Sequence, residues 1–143
     1  MPAPIERWLI DTNVWIFGLR RNQQFPDSVR VLSNIGSFLA LVPLQIITEL
    51  HLNLRDEELT EFYRLRNEFG EFVNISWETV PVERVHFYRQ HGCRKGDALV
   101  AAHAEALNAD VIVSNNRQFL GAVQNLPFTI ATPAHALSRL SLI

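Results

Sequence analysis

The chain of 143 residues holds a single cysteine, Cys93, and a single lysine, Lys95. One thiol excludes an internal disulfide and any zinc site built on cysteines. No stretch approaches the roughly 18 uncharged apolar residues that a membrane helix needs. The opening MPAPIERW has neither the basic segment nor the apolar stretch of a secretory leader. A cytoplasmic protein with no membrane segment is therefore expected. Repeats, low-complexity tracts and linkers are also missing. Net charge is small, with 13 basic against 15 acidic side chains, which excludes binding to nucleic acid through gross charge alone. With one lysine among 13 cations, the other twelve are arginine. Arginine grips phosphate through a rigid two-pronged fork, although genomic base composition produces the same bias. What is present is an ordinary balance of 48% hydrophobic and 20% charged residues, sized for one domain over residues 1–143.

The pattern along the chain alternates strand and helix. Trp8-Leu9-Ile10 is an apolar run too short for a helix and reads as a buried strand. Phe38–Val42, Val111–Val113 and Phe128–Ala131 read the same way, and Phe72–Trp77 is either a short strand or an extended connection. Helices are expected after Asp27 as cap, from Leu44 to about Asn53, from Asp56 to Gly70, from Pro81 to Gln90, from Ala98 to Leu107 behind Asp97 as cap, and after Pro133. Short strands without polar alternation, separated by helices, imply a parallel sheet covered on both faces. In such sheets ligands bind beyond the carboxyl ends of the strands, near the point where strand order reverses.

That rule selects among the carboxylates. Only five aspartates occur, and Asp27 and Asp56 have sufficient work at helix starts. Asp110 precedes a strand and lies at the wrong end. Asp11 follows the first strand, where a turn, or an Asx cap for a helix beginning at Val14, is the alternative to a functional role. Glu49 lies in the largely apolar Gln45-Ile46-Ile47-Thr48-Glu49-Leu50, where a charge needs a partner or an exposed flank. Asp97 opens an alanine-rich helix whose small residues allow close approach to the sheet, toward Asp11. Clustered carboxylates repel unless a cation neutralises them, and Mg²⁺ and Mn²⁺ prefer such hard oxygen ligands.

Three segments carry a resemblance: Leu9-Ile-Asp-Thr-Asn-Val-Trp15, Ile46-Ile-Thr-Glu-Leu50, and Gly96-Asp-Ala-Leu-Val-Ala-Ala-His-Ala104 running into Asn108-Ala-Asp-Val-Ile-Val-Ser-Asn-Asn-Arg-Gln-Phe119. Together, in their order, flanking apolar residues and total length, they resemble the PIN domains, and among these the VapC-type toxins of bacterial toxin–antitoxin pairs. The resemblance covers about Trp8 to about Thr132. It implies a three-layer α/β/α sandwich around a parallel sheet of four to five strands. It also implies a metal-dependent endoribonuclease that leaves a 5′-phosphate and a 3′-hydroxyl. Carried onto this chain, it makes Asp11, Glu49 and Asp97 the acidic ligands of Mg²⁺ or Mn²⁺, with Thr12 and Ser114 as supporting hydroxyls. Many relatives carry a fourth acid after the fourth strand. Here Ser114-Asn115-Asn116-Arg117 has none, which makes Asn116 the candidate amide ligand or water-positioning group and favours one tightly held ion over two. The resemblance further implies an RNA substrate, a cognate antitoxin whose tail fills the cleft, and a homodimer.

Cations close in sequence to these acids are Arg94, Lys95 and Arg117, with Arg20 and Arg21 after the first motif. They can bind substrate phosphate or be solvated surface. Leu52, Leu59, Phe62 and Phe69 can supply an antitoxin groove or belong to the core. Two rival readings stand beside the nuclease. One is a non-catalytic relative that binds RNA or a protein in the same cleft. The other is a haloacid-dehalogenase-type phosphatase, disfavoured because Asn13 stands where its second carboxylate belongs.

Overall fold

Trp8, Leu9 and Ile10 are wholly shielded from water, as are Val111, Ile112 and Val113. They form β1 (Arg7–Ile10) and β4 (Val111–Val113), neighbours in a five-stranded sheet. The computed structural model describes residues 4–116 and 125–140. Within them β2 (Leu39–Val42), β3 (Val73–Ile75) and β5 (Thr129–Ala131) complete the order β3-β2-β1-β4-β5, with every pair parallel. The wholly apolar strands β2 and β4 are stable here because helices cover both sides.

The connections are α1 (Thr12–Leu19) and α2 (Pro26–Ser33), then α3 (Leu44–Asn53) and α4 (Asp56–Phe69), then α5 (Val82–Gln90) and α6 (Lys95–Ala106). A last helix, α7 (Pro133–Leu140), packs on α2. The chain steps from β1 outward to β2 and β3, then returns past both to β4. Right-handed crossovers therefore put α1–α4 on one face and α5 and α6 on the other, which is the α/β/α sandwich expected. Trp8 stacks on Phe38 at 4.1 Å between ring centres, and Trp15 meets Phe62 edge-on at 5.0 Å. Each such side chain contributes roughly 1.5–3 kcal/mol by leaving water.

Local chemistry shifts several boundaries. Asp27 does not cap α2. Pro26 occupies its first position, where the fixed φ is preorganised and the missing N–H costs nothing, so the helix starts two residues earlier. Asp97 does not cap α6 either, since that helix begins at Lys95 with Arg94 at the cap position. The helix behind Asp11 starts at Thr12, two residues before Val14. Phe72–Trp77 resolves into one turn of 3₁₀ helix, Gly70–Phe72, followed by β3. Phe62 is fully buried and belongs to the core, whereas Leu52 is 79% exposed. Among the described residues no helix is long and apolar enough to cross a membrane.

Candidate functional site

The strand registers place Ser76, Pro43, Asp11, Ser114 and Thr132 in one row just beyond the carboxyl ends of β3, β2, β1, β4 and β5. Backbone bonds continue each ladder into that row: Asp11 N to Val113 O at 2.9 Å, Ser114 N to Ala131 O at 2.9 Å, and Ser76 N to Val42 O at 3.0 Å. Strand order reverses between β1 and β4, so Asp11 and Ser114 face each other at the switch point where parallel sheets open a crevice.

Asp11 is 8% exposed. One carboxylate oxygen accepts the Thr12 amide at 2.9 Å, which caps α1, and the other accepts the Ser114 hydroxyl at 2.7 Å. Burial pushes its pKa up to about 6 against the pull of those two bonds, and the charges of Glu49 and Asp97 add to the rise. Capping α1 and standing in the field of the other two acids thus coexist in one side chain.

Glu49 reaches this point from α3. Its Oε2 accepts from the Thr12 hydroxyl and its Oε1 from Gln45 Nε2 at 2.5 Å. Gln45 precedes it by one helical turn, so both amide and carboxylate lie on the same face of α3. Gln45 was not singled out from sequence, although its spacing from Glu49 is the signal that reveals it.

Asp97 arrives on the first turn of α6, half-buried. Because Arg94 holds the cap position, the Asp97 carboxylate is free to meet Asn116, whose Nδ2 donates to both of its oxygens at 3.2 and 3.1 Å. Burial raises the Asp97 pKa. Asn116 and Arg94 lower it, and Glu49 raises it. The Asn116 amide also donates through its backbone to Ser114 Oγ at 3.0 Å, tying the two residues after β4 to both aspartates. Asn115 turns the other way and binds Ser28 Oγ at 3.1 Å, linking this loop to the start of α2.

The three acids therefore share one rim and one electrostatic neighbourhood, and none is ion-paired to another described residue. The side chains that hold them are all neutral: Ser114, Thr12, Gln45 and Asn116. The donor set fits a hard divalent cation by its chemistry. Yet among the described residues no three His, Cys, Asp or Glu side chains already form a ligand cluster, so sharing an ion requires carboxylates to turn from their present partners. Arg94 and Lys95 stand exposed at the start of α6, next to Asp97. Arg117 lies outside the described residues. Arg20, placed near the site by sequence, is committed elsewhere: its Nε binds Glu58 Oε2 at 2.8 Å, and this bond leads the effects that hold the Glu58 pKa at about 2.

The PIN-domain family model matches residues 8–123, most of the chain. The chain belongs to the PIN-domain family. The expected family is thus the observed one, and the match spans Asp11, Glu49, Asp97 and Asn116. This PIN domain is similar to a chain in the crystal structure of VapBC2 from Rickettsia felis bound to a DNA fragment from their promoter, at 14% identity and a TM-score of 0.59. That likeness covers 87% of this chain and 96% of the other. It is also similar to PAE2754 from Pyrobaculum aerophilum, at 16% identity and a TM-score of 0.57 over 97% of each chain. At such identities the likeness is one of fold. Among curated proteins none matches.

Proposed function

We propose that this PIN domain is a divalent-metal-dependent endoribonuclease, the toxin of a type II toxin–antitoxin pair. The observation that carries the reading is a buried carboxylate, Asp11, set beside two more carboxylates at the switch point with no described cation paired to any of them. Asp11, Asp97 and Glu49 would hold Mg²⁺ or Mn²⁺. Bound there, such an ion supplies Lewis acidity toward the scissile phosphate and toward water.

The chain's own residues have separate tasks. Ser114 and the Thr12 amide fix the Asp11 carboxylate. Asn116 fixes Asp97. Glu49, held by Thr12 and Gln45, orients the attacking water. Arg94 and Lys95 attract the RNA backbone, and Arg117 is assigned to the same role by its place in the sequence. Hydrolysis in this mode leaves a 5′-phosphate and a 3′-hydroxyl. An antitoxin partner is supported by the similarity to VapBC2, and a homodimer accompanies it in this proposal. A cytoplasmic location belongs to the same proposal.

Incubating the purified protein with single-stranded RNA and Mg²⁺ or Mn²⁺ tests the reading. The wild type is expected to cut and Asp97→Asn to be inert while melting normally. A fully active Asp97→Asn protein overturns it. A second reading, a PIN domain that binds RNA or protein without cleaving, draws on one observation: an amide stands where a fourth acid would add charge. Absence of Mn²⁺ binding heat together with absence of cleavage selects it.

A further inference from the structure

The protein has three tryptophans, and the structure treats them unequally. Trp8 and Trp15 are 0% exposed, whereas Trp77 is 63% exposed. A lone exposed side chain needs no explanation by itself. Its place supplies one. Ser76 stands in the rim row with Asp11 and Ser114, because its amide continues the β3–β2 ladder to Val42 O. Trp77 is the next residue. Glu78 N lies 3.4 Å from Ser76 Oγ, so the segment that carries Trp77 leaves β3 as irregular backbone at the rim.

β3 lies two strands from β1, so the Ser76 backbone stands about 10 Å along the rim from that of Asp11, and Trp77 follows directly after it. Between them lies the start of α3, which carries Gln45 and Glu49. A strand of RNA drawn across the acids therefore reaches Trp77 within a few nucleotides. The adjacent Glu78 carboxylate disfavours phosphate at this point and leaves the aromatic face as the feature that RNA can use. Unpaired bases stack on such faces with little regard to sequence, and double-helical RNA, whose bases are already stacked, cannot.

We infer that Trp77 is a base-stacking platform that positions single-stranded RNA for cleavage at the Asp11–Glu49–Asp97 rim. The inference rests on the nuclease reading for its catalytic consequence, but not for its binding consequence. Trp77 acts on the substrate at a distance from the reacting phosphate, so its removal weakens substrate capture more than turnover.

The burial of Trp8 and Trp15 makes the test selective, since acrylamide in solution reaches only Trp77. The Asp97→Asn protein is titrated with a short oligoadenosine RNA while acrylamide quenching is followed. Shielding of the accessible tryptophan by the single strand, and not by the same strand annealed to its complement, supports the inference. In cleavage assays Trp77→Ala is expected to raise KM about tenfold with kcat nearly unchanged, and Trp77→Phe to restore most of the loss. Equal melting temperatures of the three proteins exclude a folding effect. Unchanged accessibility with RNA bound, or an unchanged KM in a cleaving Trp77→Ala protein, overturns the inference while the nuclease reading stands. Shielding that grows with protein concentration in the absence of RNA overturns it in favour of a contact between copies of the chain. If the wild type cuts no RNA, the nuclease reading fails. Single-strand shielding then still supports the platform, and its absence overturns it.

Discussion

The Ser114 hydroxyl donates to Asp11 Oδ2 at 2.7 Å across a sequence separation of 103 residues. This bond joins the ends of β1 and β4, and Ser114 is completely buried. Its chemical effect is to oppose protonation of Asp11. Ser114→Ala is therefore expected to raise the Asp11 pKa above about 6. At limiting Mn²⁺, where protons and cation compete for Asp11, the acid limb of the pH–rate profile should move to higher pH. Activity near neutrality should fall about 10- to 100-fold, as when a partner behind a metal ligand is lost. An unmoved acid limb would separate Ser114 from Asp11.

Asp11 also makes stability depend on pH in a defined direction. Its folded pKa of about 6 lies above the ordinary 3.8, so without divalent ions its contribution is full below pH 3.8 and is lost as pH rises through about 6. The loss is of the order of 3 kcal/mol. Asp11→Asn removes the charge and keeps an oxygen able to cap α1. In EDTA at pH 7 it should melt roughly 10 °C above the wild type, with the gap closing toward pH 4. Thermal melts across that range decide the point. A variant less stable at pH 7 would show that Asp11 serves the fold more than the site.

Asn116 converts what would be a repulsion into a bond to Asp97. Asn116→Asp reverses that. Without cations the variant should lose about 2 kcal/mol of stability, read from urea midpoints. With Mn²⁺ it should bind more ions, or bind them more tightly, because a fourth carboxylate joins the set. Calorimetric stoichiometry equal to the wild type in both number and affinity would remove Asn116 from the metal environment.

Gly18 lets α1 and α2 touch. A Cβ there would lie 2.5 Å from Leu32 Cδ1, 2.6 Å from Leu32 Cγ and 3.0 Å from the Ser28 carbonyl. Gly18→Ala should cost about 1–2 kcal/mol despite the better helix propensity of alanine. Ser28 also holds Asn115 next to the site, so a drop in cleavage rate should accompany the drop in urea midpoint. A variant as stable as the wild type would mean that α2 moves away freely.

Several of these features were legible in the amino-acid order. Trp8-Leu9-Ile10 and Val111-Ile112-Val113 read as buried strands, the strand–helix alternation implied a parallel sheet, and together these placed Asp11 and Ser114 at one rim. The capping alternative for Asp97 was wrong because nothing in Arg94-Lys95-Gly96 advertises a helix start, and the cap position carries no side-chain bond. Arg20 looked available because Glu58, its partner, is 38 residues away. Glu49 could be read equally as exposed flank or site residue until its bond to Thr12, 37 residues distant, was seen. Sequence patterns report local geometry well. They do not report which distant donor a carboxylate meets, and the charge economy of this site depends on such pairings.

Manganese titration calorimetry on the wild type and on Asp11→Asn, Glu49→Gln and Asp97→Asn tests most directly whether these acids act as one ligand set. One ion is expected to bind the wild type, with each substitution weakening it more than about tenfold. A wild type that takes up no manganese, or three variants that bind it as the wild type does, would contradict the account.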